Sequence, residues 1–286
     1  MIRSISKLLL LALLLASCEG PGIVNGQSSM VNLTFRATNT DMKGTSSDLA
    51  AYFSKLNIML FDADGNKVFD KVRTQLATDD DFGNISLQLT VGTYTVVAVG
   101  HSSINSATIK SPAMVQFTAS NGEKLTDTFC YCGQIEVGEE PRQHNLTMHR
   151  VAAMVRFVFT DTDIPSAFSH LKIDYTGGSA NFNPSTSEGT TKSTQSETRQ
   201  RNDAQTYEVF TFPYMSATGT LHVTVSAIDD QGVVLVQRTF DAIPVSRNRI
   251  TTYTGQFFGG GGGTVTQTAF GFVVNGDWEG EDNFTF

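Results

Sequence analysis

The sequence predicts an all-β chain, two tandem antiparallel β-sandwich domains behind an N-terminal export signal, on three observations. Short runs with apolar residues at every second position recur along the chain, the period of a strand with one buried face. Turn signals rich in Gly, Asp and Pro separate them, and helical periodicity is almost absent. Beyond the first 17 residues the chain is near the upper limit of one core and comfortable for two of roughly 130 residues each.

Taken in order, Arg3 and Lys7 precede an apolar run at residues 8–16 that closes on Leu15-Ala16-Ser17-Cys18. A positive segment, a short apolar segment and a small-residue cleavage site describe a secretory signal at residues 1–17, too short to span a bilayer. Leu-Ala-Ser-Cys resembles the lipobox of bacterial lipoproteins, which makes Cys18 the expected lipidated mature N-terminus. The other reading is an ordinary signal with an incidental Cys. Two or more acyl chains hold a protein stably on a membrane, so the remainder is expected to be a tethered, water-facing body. Glu19 beside the Cys resembles a surface-export signal of Bacteroidetes. Residues 18–29, rich in Pro, Gly, Asn and Ser, read as a tether.

Val31, Leu33 and Phe35 give the first strand, and residues 48–53 suit a short helical turn. Leu56, Ile58 and Leu60 lead to Asp62-Ala-Asp-Gly65, and residues 67–71 read as the returning strand of a hairpin. Ile85, Leu87 and Leu89, then a turn at Gly92-Thr93 into Tyr94, Val96 and Ala98, read as a second hairpin. Strands follow at residues 114–118, 129–137, 145–149 and 151–160, the last apolar on both faces. A division into residues 30–155 and 156–286 is expected there. Leu171, Ile173 and Tyr175 form the next strand, and residues 183–204 read as a long Ser/Thr/Gln loop. Strands at residues 207–212, 221–227, 233–240 and 250–258 surround a turn at Asp229-Asp-Gln-Gly232, which echoes the one at Asp62. Five glycines at residues 259–263 suggest a hinge. Residues 264–274 then alternate again, with Phe270, Phe272 and Val274 on one face, as the last strand of the second sheet or one meant for another subunit.

Chemistry is sparse. With 17% charged residues and a net charge of -8, nucleic acid is excluded as a partner, since backbone binding needs clustered cations. Asp62 and Asp64 start a calcium-loop spacing, but the later ligands, including the Glu at position twelve, are missing. Asp79-Asp-Asp81 reads as a solvated turn. His101-Ser102-Ser103 places His and Ser side by side without a nucleophile elbow, so a turn is expected. Cys130 and Cys132 share a strand face and read as buried thiols; a metal would need more ligands, and the nearest histidines are His144 and His149. No cofactor and no catalysis are expected.

The order of a lipobox signal, Leu56-Asn-Ile-Met-Leu-Phe-Asp-Ala-Asp-Gly65, Val91-Gly-Thr-Tyr-Thr95, His149-Arg-Val-Ala-Ala-Met-Val-Arg156 and Ala227-Ile-Asp-Asp-Gln-Gly232 resembles the fimbrillin and fimbrial-anchor family of Bacteroidetes. The resemblance implies a lipoprotein precursor, two transthyretin-like sandwiches and type V pili. It also implies other fimbrial subunits as partners, with the outer membrane reached through the lipid. In polymerising members a trypsin-like protease cuts behind the first strand, and a neighbour's strand fills the opened groove. Arg36 and Lys43 match that cleavage position, whereas anchor-type members keep lipid and strand. The expected function is therefore a surface lipoprotein of the fimbrial system acting as structural, anchor or accessory subunit through strand addition. The competing reading is a glycan-binding lipoprotein stacking sugars on Trp278, Tyr131, Tyr207 or Tyr214.

Overall fold

The computed structural model describes residues 28–37, 49–118, 124–259, 264–265, 271–273 and 278–286. The first half contains β1 (Ser28–Ala37), β2 (Lys55–Phe61), β3 (Arg73–Leu76), β4 (Asn84–Thr90) and β5 (Gly92–His101). Two short strands, β6 (Thr108–Ser111) and β7 (Met114–Gln116), precede β8 (Thr128–Val137) and β9 (Arg142–Arg150). Seven of these run in the order β3-β2-β5-β8-β9-β1-β4. β8 and β9 share only the pairs Phe129 with Arg150 and Cys130 with His149, so the sheet turns a corner there into two layers. Val31, Leu33 and Phe35 of β1, with Leu87 and Leu146, meet Leu56, Ile58, Val96 and Ile135 across the gap, and all are buried.

The second half repeats the plan. It comprises β10 (Ala153–Phe159), β11 (His170–Thr176), the short β12 (Gly178–Ser179), β13 (Asn181–Asn183) and β14 (Glu188–Gly189), then β15 (Gln195–Gln200), β16 (Thr206–Pro213), β17 (Thr218–Ile228), β18 (Val234–Ser246) and β19 (Arg249–Gly255). β10 is antiparallel to β16 and parallel to β19, as β1 is to β4 and β9. β11 pairs with β15 and β17, and β17 with β18, as β2 pairs with β3 and β5, and β5 with β8. The echoed turns share one hydrogen-bond plan. Asp62 Oδ1 accepts from the Asp64 and Asn66 amides, Asp229 Oδ1 from those of Gln231 and Val233. Gly65 and Gly232 supply the positive φ, 83° and 82°.

The halves are not loosely strung. Met59, Phe61, Val97, Val99 and Cys130, on the outer face of the β2-β5-β8 layer, pack with Ala180, Phe182 and Phe212 in a third core. β7 pairs with β13 over it. The chain then ends on the second half. β20 (Thr264–Val265) runs parallel to β18, β22 (Gly280–Thr285) runs parallel to β19, and β21 (Gly271–Val273) flanks β22.

Several expectations are corrected. β4 and β5 do not form a hairpin: Val91 alone separates them, too short for a two-residue turn, and the chain passes between layers. The strand returning to β2 is β3, not residues 67–71. There the buried Gln75 amide donates to the Asn84 carbonyl and accepts from the Gly83 N–H, tying β3 to the next loop. Residues 183–204 contain β14 and β15 instead of one long loop, with Gln195 and Glu197 in buried positions where apolar side chains would have marked a strand. Within residues 264–274, β20 and β21 lie on different sheets. β1 begins at Ser28, and β10 runs across residues 155 and 156; the division into residues 30–155 and 156–286 is an expectation that strand bounds do not decide.

Candidate functional site

Strand edges carry the features that could join this chain to another. β1 lies between β4 and β9, with seven register pairs to each. Val31, Leu33 and Phe35 fill the core at 2% exposure or less, so the strand is held by two ladders and three apolar side chains. Arg36 is the last residue but one of this strand, opposite Thr147. Lys43 and Cys18 lie outside the described residues. So do Phe270 and Val274, while Phe272 sits in β21 opposite Asp282.

The C-terminal strand is latched by charge and by rings. Arg156 on β10 donates to Glu208 Oε1 at 2.9 Å and to Glu281 Oε1 at 3.3 Å, and the Thr252 hydroxyl also donates to Glu281. Arg249 donates to Asp282 at 3.0 Å. Phe284 stacks on Tyr253 with centroids 4.7 Å apart, and Phe286 meets Phe240 edge-on at 5.2 Å. A Cβ on Gly255 would stand 2.1 Å from the Phe286 carbonyl oxygen, so only glycine lets the two strands approach. At the foot of the glycine run, the buried Asp161 carboxylate accepts the backbone N–H groups of Phe257, Phe258 and Gly259 at 2.6, 2.8 and 2.9 Å. None of these partnerships was legible: Asp161 and Phe257 are 96 positions apart, and no spacing rule links them.

Arg150 joins the halves. It grips both oxygens of Asp127 at 2.8 and 2.9 Å, donates to Asn248, and lies between Phe129 and Trp278. Trp278 is 5% and Tyr207 2% exposed, so neither can stack on a sugar, which corrects that expectation for both. Tyr131 and Tyr214 are half-buried.

His101 is structural. Asn57 Nδ2 donates to Thr74, which turns Asn57 Oδ1 toward His101 Nε2 at 2.7 Å and the Ala107 amide at 2.8 Å. Nε2 therefore carries the hydrogen, and Nδ1 accepts from the Ser103 N–H. A second ring proton would face that N–H. Burial, helped by Lys55, lowers the His101 pKa to about 3. Between that value and the unfolded 6.5 only the unfolded chain takes the proton. Stability should thus fall as pH drops from about 6.5 toward 3, by about 1.4 kcal/mol per unit. Urea unfolding of wild type and His101→Gln across that window checks it. The variant should lose the slope.

Cys130 is buried, which drives its thiol pKa well up, and it forms no disulfide with Cys132. Its ladder partner His149 is exposed. Among the described residues no group of three or more His, Cys, Asp or Glu could hold a metal, and no helix is long and apolar enough to cross a membrane.

Residues 24–285 match the model of a family of unknown function, DUF6562. No curated protein matches the chain. Solved structures with a similar fold include a candidate adhesin from Bacteroides ovatus, 10% identical, TM-score 0.48, covering 73% of this chain and 75% of that one. The fimbrial anchor protein Mfa2 from Porphyromonas gingivalis is 15% identical, TM-score 0.44, covering 73% and 81%. A fimbrial assembly protein from Parabacteroides distasonis is 14% identical, TM-score 0.41, covering 80% and 90%.

Proposed function

The chain belongs to the DUF6562 family of unknown function, and we propose that it is an outer-membrane surface lipoprotein of a fimbrial system, tethered through Cys18. It acts there without catalysis, as structural, anchor or accessory subunit, and joins neighbouring subunits by added strands. The observation that carries this reading is β1. A strand at the start of the described chain completes a sheet from the middle, held by ladders on both edges and by Val31, Leu33 and Phe35 in the core. That is how an added strand is held: main-chain bonds supply affinity and alternate side chains supply fit. The fimbrial assignment itself comes from the ordered motifs and the lipobox.

Material isolated from the cell surface should start either at a lipid-modified Cys18, the anchor outcome, or just past Arg36 or Lys43, the polymerised outcome. An unlipidated start elsewhere in the tether would refute the reading. Deleting residues 264–274 should abolish recovery of the protein with sheared pili. Undiminished recovery would remove the donor role from that segment.

A further inference from the structure

The outward face of β4, β1 and β9 differs from an ordinary exposed sheet. On β4, on β1 from Ser28 to Thr34 and on β9 from Gln143 to Thr147 every outward side chain is uncharged, where roughly a quarter to a third of surface positions usually carry charge. Five of these are primary amides, Asn32, Asn84, Gln88, Gln143 and Asn145, and the others are Ser and Thr with a single apolar residue, Met30. Arg36, one residue from the end of β1 and opposite Thr147, and the exposed Arg142 and His149 of β9 border this area.

The rows are ordered by the ladder. Ser86, Asn32 and Gln143 lie side by side across the strands, as do Asn84, Thr34 and Asn145. Ser86 donates to Asn32 Oδ1 at 2.7 Å, Gln88 to Ser28 at 3.1 Å, and Gln143 to Thr34 at 3.2 Å. Each such bond uses one of an amide's donor or acceptor positions and leaves others directed to solvent. The duplicated plan provides a control within the molecule. On the equivalent face of the second half, Arg156 pairs with Glu208, and Met154, Ile250 and Phe210 are packed under Trp278. Among the described residues these rows of the first copy are uncovered and neutral, while the second copy's face is ionic and covered.

We infer that this face is a binding surface for an uncharged, hydroxyl-rich glycan. The occupant follows from the chemistry. Within those rows no fixed charge stands to pair with an anionic or cationic ligand. With Met30 as its lone apolar residue, it lacks the apolar centre that a protein partner or a second copy would need. A neutral glycan presents hydroxyls that both donate and accept, the pattern that rows of amides and hydroxyls complement, and it binds without desolvating a charge.

The test is affinity electrophoresis of the mature chain, with Cys18→Ser to omit the lipid, in gels containing mannan, dextran or glucomannan, and in others containing polygalacturonate. At least one neutral polymer should slow migration, unchanged by added salt, while polygalacturonate should not. The triple variant Asn32→Ala, Gln88→Ala, Gln143→Ala should weaken retardation about tenfold or more, with a melting temperature near wild type because all three are exposed. No retardation by any neutral polymer, equal retardation of the variant, or stronger retardation by polygalacturonate would overturn the inference. So would a wild-type dimer that the variant converts to monomer, since the face would then serve a second copy.

Discussion

Arg150→Ala is expected to destabilise the protein by about 3–5 kcal/mol, the cost of breaking a buried ion pair from one side. The guanidinium is 3% exposed, and its removal strands the Asp127 carboxylate, whose pKa burial already raises against the pull of Arg150. The same deletion opens the gap between Phe129 and Trp278, 4.6 and 4.0 Å from the guanidinium carbon, and frees Asn248. Without the cation, the partly buried Asp127 must either stay charged beside apolar neighbours or take a proton. Its folded pKa then climbs further above the unfolded value. Stabilisation by the bound proton is complete below that unfolded value and is lost as pH rises, so the variant should suffer more at pH 8 than at pH 4. Arg150→Met with Asp127→Leu should recover most of the loss, because two apolar groups leave no orphaned charge. Urea unfolding of the four members of the cycle measures this. A loss below about 1 kcal/mol, or no recovery in the double variant, would show that the pair is not a keystone between the halves.

What the sequence reveals and conceals follows from the same electrostatics. Where a strand buries apolar residues at every second position, as in Val31-Leu33-Phe35 or Leu221-Val223-Val225, the period of two is read directly. The Asp-Gly turns at Gly65 and Gly232 are equally legible, because only a few residues tolerate that φ. β15 and β22 escape notice because their buried positions hold Gln195, Glu197 and Glu281. Such a side chain reads as solvated until its partner is found, and Arg156 is 125 residues from Glu281. Pairing partners are harder still. Alternation marks Leu87 and Leu89 as a strand but does not say that β4 joins β1 instead of β5. The face of β4, β1 and β9 was legible residue by residue as the polar half of each strand. Its neutrality became a property only when the register set the three rows together.

Ending the chain after residue 277 is expected to unfold the second half, for a loss above about 5 kcal/mol, comparable with the whole stability of a small domain. β22 supplies six ladder pairs to β19, the Phe284 ring in the core, and the carboxylates that answer Arg156 and Arg249. Phe284→Ala alone should cost about 3–5 kcal/mol, since the ring is buried against Tyr253 and little around it can collapse. The slot the truncation leaves is bounded by β19 on one side and roofed by Phe240, so it selects an extended strand with aromatics two positions apart, as in Phe284 and Phe286. A peptide of residues 278–286 added in excess should therefore restore protection of β10 and β19 amides to hydrogen exchange, and its Phe284→Ala version should not. If the truncated chain kept its urea midpoint, the terminal strand would be an appendage and not part of the core. If both peptides restored protection equally, main-chain pairing would suffice and the ring would have no role in choosing the strand. Rescue by the native peptide alone would mean that a strand supplied from outside the chain can complete this sheet, the physical capacity on which assembly by strand addition depends.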